Sequence, residues 1–481
     1  MQISKLFQDR LDASSFSLSD IEGKLHSENE VREKYIKIKS YFKSHLHPSE
    51  IIAIKIVKDI DYLLCMLASM ELGITYIPMK DDYPLNRVEQ IQKLTEFKLL
   101  IDGDKLNEIY STNHEQVNWS PIFSNPLYII FTSGSTGEPK GVVISRKAAA
   151  NYIDQLKLHF DHLSSDDNLL QITQFTFDIS LNDVFLFLLK NCKLYFSKFS
   201  TDIFNLAYEI EEYKINFINT VPNNLSMLLN EHIISRSNYS SVHTWMIGGA
   251  RFSAGLHTEC VKHLKLSKIY NVYGPTECTI YSHFKKLNLD PTDLIDGNVS
   301  IGKPLENIKS CIYESEIIKN SFVRGELLLG GLQLMDEYIK NPTKTKSAFL
   351  EIDNVKYYRT GDISYQTESG EFHIVGRLDD TIKYRGYRIN LLDIDSYIQK
   401  LDYVRDCVSI AVDDELLENK TIAYIILKEE RLVKEIKKDL MSVLLDYQIP
   451  SKIIITQSYP VNTSGKVCKK TLKENFLAKG K

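Results

Sequence analysis

The sequence lacks the features that mark secreted, zinc-stabilised and membrane-spanning proteins. Its seven cysteines are odd in number and scattered, with no Cys-x-x-Cys pair and no histidines at zinc-ligand spacing. The N-terminal segment MQISKLFQDRLDASS carries charge too early for a signal peptide, and the longest apolar runs, such as YLLCMLASM, are too short to span a bilayer. We therefore expect a cytoplasmic protein without a structural metal and without a membrane partner.

A strong charge of either sign is also missing. The net charge of −5, with 43% hydrophobic and 25% charged residues, is typical of soluble globular proteins and gives no electrostatic reason to expect a nucleic-acid partner. A chain of 481 residues is too long for one compact core. At least two domains are therefore expected.

Strand-like and helix-like segments alternate through the first two thirds of the chain. The β-branched run at residues 51–57 precedes a helix-like segment, and the run KINFINTV at residues 214–221 precedes another. From about residue 325 short alternating strands follow, and the end of the chain has its own helix and strand signals. We predict an α/β fold with a large N-terminal domain of mixed α/β subdomains, residues 1–378, and a smaller, mobile α+β C-terminal domain, residues 379–481.

A loop rich in glycine and hydroxyl side chains follows an apolar, strand-like segment. In FTSGSTGEPKGVVIS, residues 131–145, glycines let backbone N–H groups approach a ligand, and the hydroxyls and the lysine add donors. Polyphosphate binding is favoured over an ordinary exposed turn. The P-loop of nucleotide hydrolases is excluded because Pro139 precedes the lysine and Gly141 follows it. The expected phosphate contacts are Thr132, Ser133, Gly134, Ser135, Thr136, Gly137 and Lys140.

Further motifs follow the loop and together carry a resemblance. They are NVYGPTEC at residues 271–278, YYRTGDIS at 357–364, GRLDDTIKYRGYRIN at 376–390 and VNTSGKVCKK at 461–470. In this order they resemble the signatures of the adenylate-forming enzymes, which include acyl-CoA synthetases, firefly luciferase and adenylation domains of non-ribosomal peptide synthetases. The resemblance covers residues 51–470. It implies that ATP activates a carboxylate as an acyl-adenylate, with Mg²⁺ present and pyrophosphate released.

The resemblance assigns the nucleoside to two motifs. Tyr273 is expected to stack on adenine, Asn271 to bind its exocyclic amine, and Gly274 to belong to the same site. Asp362 is expected to accept the ribose hydroxyls, with Arg377 in support. Singly, the tyrosine could belong to the core and the Asp-Arg pair could be a surface salt bridge, but all stand at motif positions.

Three residues are expected to carry the reaction. By resemblance Thr276 contacts the α-phosphate, Glu277 holds Mg²⁺, and Lys466 bridges the substrate carboxylate and the α-phosphate. A carboxylate beside phosphates suits a hard cation, and a reaction between two anions needs positive charge. The sequence has Ser464 where the family usually has asparagine, which we consider harmless.

The segment after Arg377 resembles the hinge between the two domains. Asp379 matches the position where backbone rotation exchanges two states, and Lys383, Arg385 and Gly386 are expected to line the approach of a thiol. Asn390 replaces an acid in the usual Arg-Ile-Glu pattern, so an ion pair at that position is in doubt.

The segment QFTFDISLNDVF resembles the start of the acid pocket in peptide-synthetase adenylation domains. Asp178 falls where that branch places the carboxylate that binds an α-amino group, although it could instead cap the helix before Ser180. A buried carboxylate needs a partner charge, which favours an ammonium-bearing substrate. By resemblance the pocket comprises Asp178, Ile179, Asn182, Asn224, Met246, Gly248, Gly249, Val272, Ile280, Tyr281 and Lys466.

These residues indicate a small neutral amino acid, glycine or alanine first. The pocket resembles glycine pockets most closely, shares its later positions with isoleucine pockets, and is shortened by Tyr281. No carrier segment follows Lys466, so we expect a stand-alone ligase that loads the phosphopantetheine thiol of a separate carrier protein. An acyl- or aryl-CoA ligase that uses free CoA and a catalytically idle binding homologue remain alternatives.

Overall fold

The fold is known from a computed structural model. It describes residues 6–7, 9–10, 17–112, 117–133, 139–198, 202–295, 298–314, 317–319, 324–378, 381–384, 387–414, 418–441, 444, 448–462 and 465–479. A large mixed α/β domain precedes a smaller domain, which confirms the predicted fold class. The boundary proposed between residues 378 and 379 borders residues outside the described part and stays a prediction.

The first sheet carries the glycine-rich loop. Its inner strands are parallel, and the hairpin around the loop is antiparallel. In spatial order the six strands are Glu337–Tyr338, Pro139–Ser145, Pro126–Ser133, Thr75–Pro78, Ile51–Ile54 and Leu99–Ile101.

The second sheet has nine strands and a parallel centre. In spatial order they are Lys303–Pro304, His283–Lys286, Lys268–Tyr273, Thr244–Ile247, Phe217–Thr220, Asn168–Gln171, Lys193–Phe196, Leu18–Ser19 and Leu25–His26. The six strands from Lys268–Tyr273 to Leu18–Ser19 run parallel. The predicted alternation of strand and helix is thus correct, although the strand in KINFINTV begins at Phe217.

The third sheet is antiparallel throughout. It contains Ile317–Lys319, Ile308–Glu314, Gly325–Gly331, Val355–Gln366, Phe349–Ile352 and Phe372–Arg377. The short strands expected from about residue 325 are therefore present. The TGD motif lies on the strand Val355–Gln366 of this sheet.

The small domain has its own core. Its strands Val404–Asp414, Glu418–Leu427 and Lys452–Ile455 form one sheet, and the hairpin Thr381–Tyr384 with Tyr387–Asn390 precedes it. Leu391, Ile394 and Ile436 pack against that sheet in one buried cluster.

Helices cover the sheets. They are Glu28–His45, Ile60–Leu72, Leu85–Thr95, Gly103–Ser111, Arg146–His159, Ser180–Lys190, Ile203–Glu212, Pro222–Leu228, Glu231–Ile234, Ala254–His263, Pro342–Ala348, Leu391–Gln399, Val433–Leu440 and Lys469–Lys479. In the described ranges no helix combines the length and apolarity needed to cross a membrane.

The N-terminal region, which the sequence left unassigned, joins the large domain. Ser27 and Glu30 form a capping box that starts the helix Glu28–His45. Tyr35 of this helix is buried and hydrogen-bonds to Glu71 of the helix Ile60–Leu72. The first helix thus packs on a helix of the first sheet and extends the main core.

Candidate active site

The predicted site residues converge where parallel strands of the second sheet end. Thr220, Ile247 and Tyr273 are the last residues of three neighbouring strands. The carboxyl edge of such a sheet is where ligands bind in α/β folds. The segments that begin at this edge carry Asn224, Gly248, Gly249, Thr276 and Glu277.

The predicted ribose carboxylate is held on both oxygens. Arg377 donates from Nη1 to Oδ1 of Asp362 over 2.7 Å, and the hydroxyl of Tyr273 donates to Oδ2. Burial, together with the neighbouring carboxylate, raises the pKa of Tyr273 well above its usual range, so its hydroxyl stays a donor. The two nucleoside motifs therefore meet through one carboxylate.

A buried glutamate shapes the turn that presents Asp362. Glu326 accepts two hydrogen bonds from Arg359, 2.7 and 3.0 Å long, and one of 3.1 Å from the backbone N–H of Gly361. Gly361 has φ of +72°, a conformation that favours glycine. The Glu326–Arg359 ion pair and Gly361 together fix the backbone conformation next to Asp362, and so the direction in which its side chain projects from the strand.

The predicted adenine contacts are oriented by their own neighbours. Asn271 is buried and donates from Nδ2 to the carbonyl of Ser300 over 2.7 Å, so its Oδ1 is the atom suited to accept from an exocyclic amine. A Cβ on Gly274 would lie 2.5 Å from the carbonyl oxygen of Ile280 and 2.6 Å from Cα of Tyr281. Only glycine therefore lets the YGPTE turn pack against residues 280–281.

Glu277, the predicted magnesium ligand, has an ordered carboxylate. The hydroxyl of Tyr338 donates to its Oε1 over 2.6 Å. Thr276 begins the short 3₁₀ turn Thr276–Cys278 that carries this glutamate. A carboxylate held through one oxygen can present the other to a hard cation, so these residues fit a magnesium site.

The glycine-rich loop joins two antiparallel strands of the first sheet. Thr132 lies opposite Lys140 in the pairing, so both lie at the base of the loop. Burial, followed by the neighbouring ammonium group of Lys344, lowers the pKa of Lys140. The predicted loop contacts themselves lie outside the described residues: Gly134, Ser135, Thr136, Gly137 and the side chain of Ser133.

Asp178 is a buried carboxylate and does not cap the following helix. That helix begins at Ser180, after Ile179, and receives no side-chain cap there. Oδ2 of Asp178 instead accepts a 3.1 Å hydrogen bond from the backbone N–H of Ile280. Burial raises the pKa of Asp178 to about 6, although this hydrogen bond and the nearby Lys466 oppose the increase. Asp178, the carboxylate predicted to bind the amino group of the substrate, therefore has the cationic Lys466 nearby.

A strained turn aims that N–H at Asp178. Thr279 and Ile280 have φ of +54° and +69°, which is unusual for residues other than glycine. Gln333, which is fully buried, donates to the carbonyls of Cys278, Thr279 and Tyr281 over 2.9 to 3.2 Å. Gln333 thus holds a conformation that the local sequence alone would not maintain.

Tyr281 closes one side of the predicted pocket. A Cβ on Gly248 would lie 2.8 Å from Cε1 of Tyr281 and 2.6 Å from Cγ2 of Val272. The space that a glycine usually leaves is therefore filled by these two side chains. Met246 is fully buried and belongs to the same large core cluster as Val272.

The polar groups beneath the pocket bind one another. Asn182 accepts a 2.7 Å hydrogen bond from Tyr152 and donates to Asp183, and Tyr281 donates to Oδ1 of Asn219 over 3.0 Å. Burial raises the pKa of Asp183 to about 8, so this carboxyl is largely protonated near neutral pH. Asp183 therefore adds little negative charge to the floor of the pocket.

Lys466 reaches this pocket from the small domain. Its backbone N–H binds Oδ1 of Asn462 over 3.0 Å, and Gly465 before it has φ of +76°. A Cβ on Gly249 would lie 3.7 Å from Cε of Lys466 and 2.9 Å from Cδ1 of Ile179. Although Lys466 is exposed to solvent in the cleft, enough protein surrounds its ammonium group that desolvation lowers its pKa.

Asn224 lies between the pocket and the lysine turn. It donates from Nδ2 to Oγ1 of Thr220 over 3.0 Å, and a Cβ on Gly465 would lie 3.9 Å from its Oδ1. Thr220 is almost fully buried at the end of its strand. This threonine was not among the residues expected from the sequence, although Pro222, two residues later, marks the end of the strand.

Two arginines cross between the domains. Nη2 of Arg405 donates to the carbonyl of Ser226 over 3.0 Å, and Nη2 of Arg251 donates to Oγ of Ser396 over 2.9 Å. These contacts hold the small domain where Lys466 points into the cleft. The proposed hinge and thiol residues Asp379, Arg385 and Gly386, with the side chain of Lys383, lie outside the described residues.

Two family models match most of the chain. A family model for AMP-binding enzymes matches residues 26–339, and one for the C-terminal domain of AMP-binding enzymes matches residues 393–466. The chain belongs to the AMP-binding enzyme family. This AMP-binding enzyme is an adenylate-forming enzyme by family.

Its curated relatives include large peptide synthetases. The AMP-binding enzyme is 28% identical to bacitracin synthase 2 of Bacillus licheniformis over 98% of the chain and 18% of that protein. It is 28% identical to tyrocidine synthase 3 of Brevibacillus parabrevis over 88% of the chain and 7% of that protein. The chain thus spans less than a fifth of the length of these relatives.

Solved structures share the fold at low sequence identity. A four-domain nonribosomal peptide synthetase bound to AMP and glycine gives a TM-score of 0.83 at 22% identity, over 98% of this chain and 36% of that one. ATP-bound MatB from Rhodopseudomonas palustris gives a TM-score of 0.85 at 20% identity, over 100% of this chain and 99% of that one. The o-succinylbenzoate CoA synthetase of Bacillus subtilis gives a TM-score of 0.81 at 17% identity, over 97% of each chain.

Proposed function

We propose that this enzyme activates a small neutral amino acid, glycine or alanine first, as an aminoacyl-adenylate. A carboxylate oxygen of the amino acid would attack the α-phosphorus of ATP, and the bond to the leaving pyrophosphate would break. The aminoacyl group would then pass to the phosphopantetheine thiol of a carrier protein, with AMP released. The peptide synthetases among the relatives support this class of substrate and partner.

The buried carboxylate of Asp178 carries the proposal. It lies in the pocket near Lys466, and it accepts a hydrogen bond from Ile280. A substrate ammonium would supply the partner charge that a buried carboxylate needs. A fatty or aryl acid offers no such charge. The arrangement therefore favours amino acids over the acids that CoA ligases of this family activate.

The proposal of a small side chain rests on Tyr281. Its ring lies against the backbone at Gly248, where a longer substrate side chain would need space. Below it, Tyr281 donates to Asn219 and Asn182 donates to Asp183, and Asp183 is largely neutral near pH 7 because burial raises its pKa to about 8. Asp183 would therefore offer little negative charge to a basic substrate side chain.

Other residues of the site would bind the nucleotide and the metal and stabilise the reacting groups. Asp362 and Arg377 would hold the ribose, and Tyr273 with Asn271 the adenine. Bound Mg²⁺ would neutralise phosphate charge, with Glu277 as its protein ligand. Lys466 would place its ammonium between the two reacting anions, whose repulsion otherwise opposes the reaction.

The test is amino-acid-dependent exchange between ATP and pyrophosphate. All amino acids, short fatty acids and aryl acids would be compared with wild-type protein and with an Asp178→Asn variant. We expect exchange with glycine or alanine that Asp178→Asn largely loses. Exchange with carboxylic acids that lack an amine would instead support a CoA ligase, and no exchange with any acid would support an idle homologue.

Transfer is measured separately from activation. Candidate carrier proteins in their phosphopantetheinylated form would be incubated with enzyme, ATP and the radiolabelled amino acid. We expect label on the carrier that hydroxylamine releases as the hydroxamate, because a thioester is cleaved in this way. Label transfer to free CoA at an equal or higher rate would contradict the carrier assignment.

A further inference from the structure

The helix Pro342–Ala348 brings a second lysine to the base of the glycine-rich loop. The helix begins where Oδ1 of Asn341 accepts the backbone N–H of Lys344 over 3.0 Å. Oγ1 of Thr345 accepts the backbone N–H of Tyr338 over 3.0 Å. These bonds attach the first turn of the helix to the strand before it, so the position of Lys344 is defined.

That strand in turn is fastened to the strand that follows the loop. Tyr338 pairs with Val142, and the N–H of Ile339 donates to the carbonyl of Gly141 over 2.9 Å. Gly141 directly follows Lys140. The backbone at Ile339, just before the helix that carries Lys344, therefore lies next to the residue that follows Lys140.

Lys140 and Lys344 are both partly buried, and the ammonium group of Lys344 is near enough that, after burial, it helps to lower the pKa of Lys140. Within the described ranges neither has a carboxylate at ion-pair distance, whereas nearby Lys340 pairs with Glu96 at 2.6 Å. Two neighbouring ammonium groups repel each other unless an anion lies between or beside them. Their juxtaposition thus suits an anion of high charge.

The same strand points to a polyphosphate as that anion. Tyr338 links the strand that follows Lys140 to Glu277, because its backbone pairs with Val142 and its hydroxyl donates to Glu277. An anion held here would have ammonium groups near one end and the proposed magnesium carboxylate near the other. The β- and γ-phosphates of ATP have this charge and bind a hard cation.

We propose that Lys344 is a second phosphate-binding lysine, which acts with Lys140 on the β- and γ-phosphates of ATP and on the pyrophosphate that leaves. The inference rests on the ATP-dependent reaction of the proposed function, but it does not depend on which acid is activated. It assigns to Lys344 a role in binding the leaving group rather than the adenosine or the amino acid.

Calorimetric titration tests this assignment without any acid substrate. Wild-type, Lys344→Met and Lys346→Met proteins would each be titrated with ATP, pyrophosphate and AMP in excess Mg²⁺. Lys346 is the matched control because it lies on the same short helix and is exposed. AMP is the matched ligand because it lacks the β- and γ-phosphates.

We expect Lys344→Met to weaken ATP and pyrophosphate binding by about tenfold, as for the loss of one charge-assisted hydrogen bond. AMP affinity should stay within about twofold, Lys346→Met should match wild type, and Lys344→Arg should restore most of the loss. Unchanged ATP affinity in Lys344→Met, or an equal loss for AMP, would overturn the proposal. Failure of exchange with every amino acid would refute the proposed substrate while leaving these titrations interpretable.

Discussion

The hydroxyl of Tyr338 donates a 2.6 Å hydrogen bond to Oε1 of Glu277, and this bond joins the strand beside the glycine-rich loop to the YGPTE turn. The two residues are 61 positions apart in the chain. Tyr338 is buried, so its hydroxyl restricts the carboxylate to one orientation. Glu277 is the proposed magnesium ligand, and its orientation therefore bears on the metal requirement.

Tyr338→Phe should raise the Mg²⁺ concentration needed for half-maximal exchange by about tenfold, because ligand-orienting hydrogen bonds affect metal affinity by about tenfold or more. The maximal rate at saturating Mg²⁺ should change less. Binding of Mn²⁺, followed by electron paramagnetic resonance in the presence of ATP, should weaken in parallel. An unchanged Mg²⁺ and Mn²⁺ dependence would show that Tyr338 does not position Glu277.

Lys466→Ala should reduce adenylation by roughly 100-fold or more while ATP affinity stays within about threefold. The reason is that its ammonium is proposed to act between two anions in the transition state, where such charges contribute most. Single-turnover formation of the adenylate and equilibrium ATP binding would be measured together. Lys470→Ala is the control, because Lys470 is nearby but strongly exposed. Near-normal adenylate formation in Lys466→Ala would remove the role assigned to this lysine.

Asp178 should make amino-acid use depend on pH in the acid range. Burial raises the pKa of Asp178 to about 6, so the carboxylate is charged above this pH and protonated below it. An ammonium substrate needs the charged form. The value of kcat/KM for the amino acid should therefore fall below about pH 6, by up to tenfold per pH unit.

The control for this prediction is Asp178→Asn, which should show a low and flat profile over the same interval. ATP binding to the wild-type enzyme should not follow the same curve. A fall of equal steepness in the asparagine variant would assign the pH dependence to another group.

Shortening Tyr281 should change which amino acids are accepted. Tyr281→Leu removes the ring that lies against Gly248, so valine or leucine should gain relative to glycine by about tenfold in kcat/KM, within the discrimination expected for one or two methylenes. Tyr281→Phe keeps the ring and loses only the hydrogen bond to Asn219, at a cost of about 1–3 kcal/mol in the free energy of unfolding. Its preference should remain that of wild type. Exchange profiles and melting curves of both variants would be recorded, and an unchanged profile in Tyr281→Leu would exclude this residue as the limit on side-chain size.

The local motifs and the alternation of strands and helices could be read from the sequence. Each motif is short and combines a turn with the side chains that the turn presents, so its chemistry depends on neighbours in the chain. The α/β class, the strands around the loop and the family followed from such patterns. The structure confirms the class and the strands, and the family match confirms the family. The residue roles and the domain boundary stay predictions.

The contacts that order the site needed the tertiary structure. Tyr273 reaches Asp362 across 89 positions, and the N–H of Ile280 reaches Asp178 across 102. Gln333, Tyr338 and Lys344 carry no local pattern that indicates a site, because their partners lie on other strands. The sequence around Asp178 is also compatible with either a helix cap or a buried pocket carboxylate, so it could not distinguish between these two roles.

By itself the sequence determined that this chain is an adenylate-forming enzyme, since the reaction depends on turns and side chains that lie next to one another. Only the tertiary structure decided which of these side chains face each other, how far Tyr281 closes the pocket and that Lys140 has a second lysine beside it. The physical reason is that burial and electrostatic pairing depend on distances in space, which the order of residues along the chain does not contain.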